Sequence, residues 1–163
     1  MKEKQGLEGK RILIVDDESD VLTTLEEVLE ACVLHKASDF DTAKELIQNN
    51  SYDAAILDIM GVRGYELLDL TQAKSIPTLM LTAHALTKED FARSLERGAM
   101  AYIPKEKMSE IDIYLQDILD AHEKGVGKSG KWYKRLESFF EDRFGKSWQQ
   151  KLEKDPDFWK NFI

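Results

Sequence analysis

Residues 11–20 read RILIVDDESD. Four apolar residues, Ile12 to Val15, run directly into Asp16 and Asp17, with Glu18 and Asp20 close behind. A near-continuous apolar run of this length is the mark of a strand buried on both faces, as in a parallel sheet covered by helices. Adjacent carboxylates at the end of such a strand resist joint ionisation unless positive charge sits among them. The rest of the chain has to supply that charge.

Working outward, short apolar runs alternate with longer amphipathic ones. Strands are expected at 12–15, 33–36, 54–58, 78–82 and 101–103. A helix from 19 to about 31, capped by Ser19, places Val21, Leu22, Leu25, Val28 and Leu29 at helical spacing. Asp39 caps the next, through about 49. Others follow over about 64–72, 88–97 (stopped by Gly98) and 109–123. Five strand–helix units in order imply a five-stranded, doubly wound parallel sheet of α/β class with right-handed crossovers. In such sheets ligands bind beyond the carboxyl ends of the strands, where the strand order reverses. The residues at those ends are Asp16 and Asp17, Asp58, Thr82 and Lys105.

Three carboxylates, a hydroxyl and an ammonium make a coherent set. Mg²⁺ prefers oxygen ligands and is commonly held by one or two carboxylates together with phosphate oxygens. Asp16, Asp17 and Asp58 could form an open Mg²⁺ site, which answers the charge problem of the opening stretch. Asp58 ends its apolar strand alone, and a carboxylate facing a cation can attack phosphorus to give an acyl phosphate. Lys105 and Thr82 would then meet the charge and oxygens of the transferred group.

Composition sets bounds on this. An apolar fraction of 42% supports a packed core, and the single cysteine, Cys32, excludes an internal disulfide and fits a reducing compartment. No apolar run approaches the roughly 20 residues of a membrane span, and the first ten residues lack a secretory signal, so a cytoplasmic protein is expected. The net charge of -8 is uneven: residues 1–124 balance at -11 and residues 125–163 at +3. An acidic body is a poor match for nucleic acid. Cys32, His35 and His122 show no zinc-ligand spacing, and His84 reads as an exposed loop histidine near the mouth of the site.

After Glu123, KGVGKSGK reads as a linker. WYKRLESFFEDRF then sets Trp132, Leu136, Phe139, Phe140 and Phe144 on one helical face, with Lys134, Arg135, Glu137, Glu141 and Asp142 on the other. Gly145 ends that helix. SWQQKLEK suits a second and DPDFWKNF a third.

The stretches ILIVDDESD, YDAAILDIM, IPTLMLTAH and GAMAYIPK together resemble the receiver domain of two-component response regulators, over about residues 10–123. The resemblance implies the flavodoxin-like receiver fold. It also implies phosphoryl transfer from a histidine kinase or phosphotransfer protein to Asp58, without enzymatic turnover beyond slow self-dephosphorylation. By the same resemblance Asp17 is a direct Mg²⁺ ligand, Asp16 a ligand through water and Met60 a ligand through its backbone carbonyl. Thr82 is the switch hydroxyl, Lys105 the phosphate-binding lysine and Tyr102 the aromatic that moves with Thr82. The loop after Asp58, DIMGVRGYEL, is about two residues shorter than usual in that family, and Glu106 stands where proline commonly follows the lysine.

The domain reading is a lead-in at 1–9, a receiver at 10–123, a linker at 124–131 and a helical extension at 132–163. The output is expected through protein contact rather than DNA. It would use the face of helix 4, strand 5 and helix 5 or the C-terminal tail, toward a downstream protein or a second copy. The tail could be held on that face or released from it. Two alternatives remain open: a receiver-like scaffold that takes no phosphate and acts through its tail, and a Mg²⁺-dependent phosphohydrolase using an aspartyl phosphate. Against the second, Met60 stands where that class needs another carboxylate.

Overall fold

The computed structural model describes residues 6–83, 87–125 and 130–151. His84, most of the linker and the expected third tail helix lie outside the described residues. Strands β1 (Arg11–Val15), β2 (Val33–Ala37), β3 (Ala54–Asp58), β4 (Thr78–Thr82) and β5 (Ala101–Pro104) form one sheet in the order β2-β1-β3-β4-β5. Every neighbouring pair is parallel. β3 and β4 are buried throughout, and β1 is buried from its second residue onward, as apolar strands between two helical layers must be.

The helices are α1 (Ser19–Val28), α2 (Phe40–Asn49), α3 (Gly64–Ala73), α4 (Lys88–Glu96) and α5 (Ile111–Glu123), the last after a 3₁₀ turn at Lys105–Glu110. α1 packs against α5 and α2 against α3, so the sheet is covered on both faces. Asp39 caps α2 by accepting a hydrogen bond from the Thr42 N–H at 2.8 Å. Ser19 does not cap α1: it is the first helical residue, Glu18 holds the cap position, and no side chain there bonds to the helix. The turn is made instead by Asp16, whose Oδ1 accepts from the Glu18 N–H at 2.9 Å. α1 also ends at Val28 rather than near Ala31, because the chain turns at Leu29–Cys32 to enter β2.

Gly64 opens α3 where no side chain fits. A Cβ there would stand 2.1 Å from the Asp58 carbonyl oxygen and 2.8 Å from the Ile59 Cα, both rigid backbone atoms. Gly64→Ala is therefore expected to destabilise the chain by about 1–3 kcal/mol, as overpacking does. A denaturant midpoint equal to the parent's would contradict the close approach.

The tail forms α6 (Lys131–Phe144) and α7 (Trp148–Lys151), with Gly145 closing α6 at a φ of 93°. α6 lies along the end of the sheet formed by β5, touching α4 through Phe91, β5 through Tyr102 and α5 through Asp117. The sequence expectation placed Phe139 and Phe144 on the buried face, but both are only half-buried, while Tyr133, Leu136 and Phe140 join Trp132 in the core. Tyr133 is buried because α7 folds back over it: Gln149 Nε2 donates to its hydroxyl at 2.7 Å.

Arg135, expected on the solvent face, grips Asp117 with two bonds, Nε to Oδ2 at 2.8 Å and Nη2 to Oδ1 at 3.1 Å. The Asp117 side chain is 6% exposed. Arg135→Leu is expected to cost about 1–3 kcal/mol by leaving a buried carboxylate unpaired. Adding Asp117→Leu is expected to recover much of that loss in thermal denaturation, and a double variant no better than the single one would count against it.

Candidate functional site

β1 and β3 lie on either side of the point where strand order reverses, and Val15 pairs with Leu57. Asp16 and Asp58 therefore leave the sheet side by side. Thr82 pairs with Pro104 at the far end of β4 and β5, and Lys105 follows directly. The sequence-expected site residues Asp16, Asp17, Asp58, Thr82 and Lys105 thus reach one rim. One carboxylate oxygen from each of Asp16, Asp17 and Asp58 lies within 4.8 Å of the others. Asp16 and Asp58 are buried and Asp17 is exposed.

Lys105 is the counter-charge. Its Nζ stands 2.8 Å from Asp16 Oδ2, 3.3 Å from Asp58 Oδ1 and 3.3 Å from Glu18 Oε2, with 10% of the side chain exposed. The shortest of these contacts is the one to the buried Asp16 carboxylate. One ammonium faces four carboxylates, counting Asp17 and Glu18.

The titration behaviour follows from that imbalance. Burial pushes the Asp58 carboxyl up to about 7, the Asp16 charge adds to the effect, and Lys105 opposes it. Burial also raises Asp16, against the pull of Lys105 and the Glu18 N–H. For Lys105, burial favours loss of the proton, but the Asp16 contact and the charges of Asp58, Asp16 and Glu18 outweigh it and hold the ammonium above its ordinary value. A further cation beside the carboxylates would bring both Asp58 and Asp16 down.

The cluster opens into a cavity of about 110 Å³ lined by Asp17, Glu18, Asp58, Met60, Gly61, Ala83 and Lys105. Met60 is on its wall, with the residue 56% exposed. Gly61 has a φ of +83°, and a Cβ there would fall 2.3 Å from Asp17 Oδ2; the loop is cut back so that this carboxylate fits beneath it. Two other cavities, about 200 and 290 Å³, include Ile76 among their walls and contain none of the three clustered carboxylates.

Thr82 is 1% exposed, and its Oγ1 has no hydrogen bond of ordinary length among the described residues. Tyr102 is fully buried on the neighbouring strand, its hydroxyl 3.5 Å from the Thr87 carbonyl oxygen. Burial pushes its phenol far up, and the Asp90 and Tyr65 side chains add to this. Glu18 and Gly61 are the site residues that sequence reading passed over. Glu18 was legible as charge in the opening stretch but not as a partner of Lys105, 87 residues away.

Comparison with known proteins agrees with this geometry. Residues 12–116 match the response regulator receiver domain family. The two-component response regulator ARR18 of Arabidopsis thaliana is 31% identical over 103 residues, 60% of this chain and 16% of that protein. Protein-glutamate methylesterase/protein-glutamine glutaminase 2 of Burkholderia thailandensis is 30% identical over 121 residues, 68% of this chain and 34% of that protein. The matched segment is thus a minor part of either relative. A crystal structure of a CheY-like response regulator receiver domain protein from Methanospirillum hungatei aligns at 29% identity with a TM-score of 0.65, covering 72% of this chain and 98% of that one. The family match ends at residue 116, inside α5, so α6 and α7 lie beyond it. On its sheet order, its acidic switch point and this match, the chain belongs to the response regulator receiver family.

Proposed function

We propose that this protein accepts a phosphoryl group on Asp58 from a histidine kinase or phosphotransfer protein in the cytoplasm and signals through protein contact. The observation that carries the reading is Asp58 itself, a carboxylate at the floor of an open cavity with Lys105 3.3 Å from one oxygen. In transfer from a phosphohistidine, a carboxylate oxygen of Asp58 forms the new O–P bond as the P–N bond breaks. The imidazole nitrogen keeps the electron pair. Lys105 meets charge on the phosphoryl oxygens, and the buried Thr82 hydroxyl is available to donate to one of them.

The donor set suits Mg²⁺: three clustered carboxylates offering oxygen ligands, and a Gly61 gap that admits Asp17. Asp16, Asp17, Asp58 and the Met60 backbone carbonyl would hold the ion, which supplies positive charge against the phosphoryl oxygens. Output by protein contact rather than DNA is supported by the acidic body and by α6, whose apolar face is spent on packing against α4 and β5. Steady turnover of phosphate esters is not expected. Among the described residues no helix is long and apolar enough to cross a membrane.

The test is intact mass after incubation with acetyl phosphate, with and without Mg²⁺, beside Asp58→Asn. A Mg²⁺-dependent gain of one phosphoryl group in the parent, absent from the variant, is the expected result. No gain here or with a kinase donor would favour the scaffold reading.

A further inference from the structure

The loop over the acidic cluster is tied down by a side chain that touches none of the carboxylates. Residues 59–63 connect β3 to α3. Ile59 and Val62 are buried and fix the inner side of the loop. The Gly64 N–H closes it by donating to the Ile59 carbonyl at 3.2 Å. On the outer side, Met60 and Gly61 line the cavity, and Gly61 passes directly over the Asp17 carboxylate. No proline stiffens this stretch.

The last loop residue is Arg63, held in the left-handed region at a φ of 56° and a ψ of 53°. A residue with a Cβ takes that conformation only against a steric cost, so the surroundings have to impose it. Two contacts do so. The guanidinium lies over the Phe40 ring, with Cζ 3.9 Å from the centroid. Its Nε donates to Glu66 Oε1 at 3.0 Å, and its Nη2 donates to Glu66 Oε2. Phe40 is the first residue of α2, half-buried against the core, where Asp39 caps the helix. Glu66 belongs to the first turn of α3. One planar cation therefore fastens the end of the loop to two helices.

We propose that Arg63 is a positioning residue for the divalent cation: stacked on Phe40, it fixes the loop that presents the Met60 backbone and roofs Asp17. This rests on the Mg²⁺ reading of the site given above. Mg²⁺ accepts little departure from octahedral geometry, so a loop free to drift binds it more weakly. The Arg63 and Glu66 side chains are 58% and 54% exposed, and exposed pairs add little to overall stability. Positioning and stability can therefore be separated at this residue.

The experiment uses the full chain, with Mg²⁺ itself as the probe. Mg²⁺ affinity is read from the amide resonances of Asp17 and Gly61 in the parent, Arg63→Gly, Arg63→Lys, Phe40→Leu and the double variant Arg63→Gly/Phe40→Leu. Glycine accepts the left-handed backbone without strain, so Arg63→Gly removes the strut and leaves the turn. Its melting temperature without metal is expected to stay close to the parent's, while its Mg²⁺ affinity falls about threefold or more. Arg63→Lys keeps the charge but not the planar stack and is expected to weaken binding as well. Phe40→Leu is expected to do the same, and the double variant to bind no more weakly than Arg63→Gly, since both act through one contact. Unchanged affinity in Arg63→Gly, full affinity in Arg63→Lys, or losses that multiply in the double variant overturn the proposal.

A parent whose resonances do not respond to Mg²⁺ defeats the metal reading instead. A second measurement then decides the role of Arg63 without metal. Amide hydrogen exchange of residues 60–62 with a chelator present is expected to be about threefold or more faster in Arg63→Gly than in the parent. Equal exchange in the two proteins means that Arg63 does not hold the loop.

Discussion

Trp132→Ala is expected to destabilise the chain by about 3–5 kcal/mol, the range for removing a large aromatic from a packed core. At this chain length that lowers the melting temperature by roughly 6–20 °C. Trp132 lies outside the segment that the family match covers, yet it is fully buried. Its ring packs against Phe91 at 5.9 Å, Tyr133 at 6.0 Å and Phe140 at 6.3 Å. These ring partners are themselves rigid and fill the vacated space poorly. Lys134→Ala, on the exposed side of the same helix, is expected to change stability by less than about 0.5 kcal/mol. The pair separates packing from helix propensity. A further consequence is that receiver and tail unfold together: near-UV and far-UV signals should give one coincident transition. Two transitions, or a Trp132→Ala variant as stable as the parent, would mean the tail is only loosely attached.

Asp58→Asn is expected to stabilise the metal-free protein at pH 7.5 by on the order of 2–4 kcal/mol, and to have little effect near pH 4. Asp58 is 4% exposed and its carboxyl is pushed from 3.8 to about 7, first by burial and then by Asp16. The folded chain therefore binds this proton more tightly than the unfolded chain does. Stability is unaffected by the group below the unfolded value and falls as pH rises from about 4 toward about 7, where Asp58 ionises against Asp16 at the expense of the fold. Asparagine removes the charge with almost no change of shape. Mg²⁺ is expected to raise the melting temperature of the parent at pH 7.5 and to do so less in the variant. Melting curves over pH 4–8, with a chelator and with Mg²⁺, check both statements. A parent whose metal-free stability rises across that window would show that Lys105 compensates the cluster more fully than the geometry suggests.

These two expectations divide along what could be read in the chain alone. The strands and their order of use were legible because burial on both faces writes a simple signal: ILIV and AAIL leave no polar alternation, and the acids follow at once. The acidic site was legible for the same reason, since its residues sit at strand ends whatever the details of the loops. Gly64 and Gly61 were not, because what they avoid, the Asp58 carbonyl and the Asp17 carboxylate, comes close only once the loop after β3 has closed. Ser19 misled because the buried carboxylate of Asp16 holds the turn at the Glu18 N–H, which leaves Ser19 as the first residue inside the helix.

The sequence by itself determined the α/β class, the five strands, the acidic switch point and an amphipathic tail helix, because each depends on local periodicity or on position relative to a strand end. Only the tertiary structure decided where that helix goes. Its apolar stripe would fit any apolar surface. What selects this one is the enclosure of Phe91 by Trp132, Phe140 and Trp148 and the approach of Phe140 to Tyr102, together with the match between Arg135 and the buried Asp117. Those are shape and charge complementarities between segments far apart in the chain, and no local pattern in either segment encodes them.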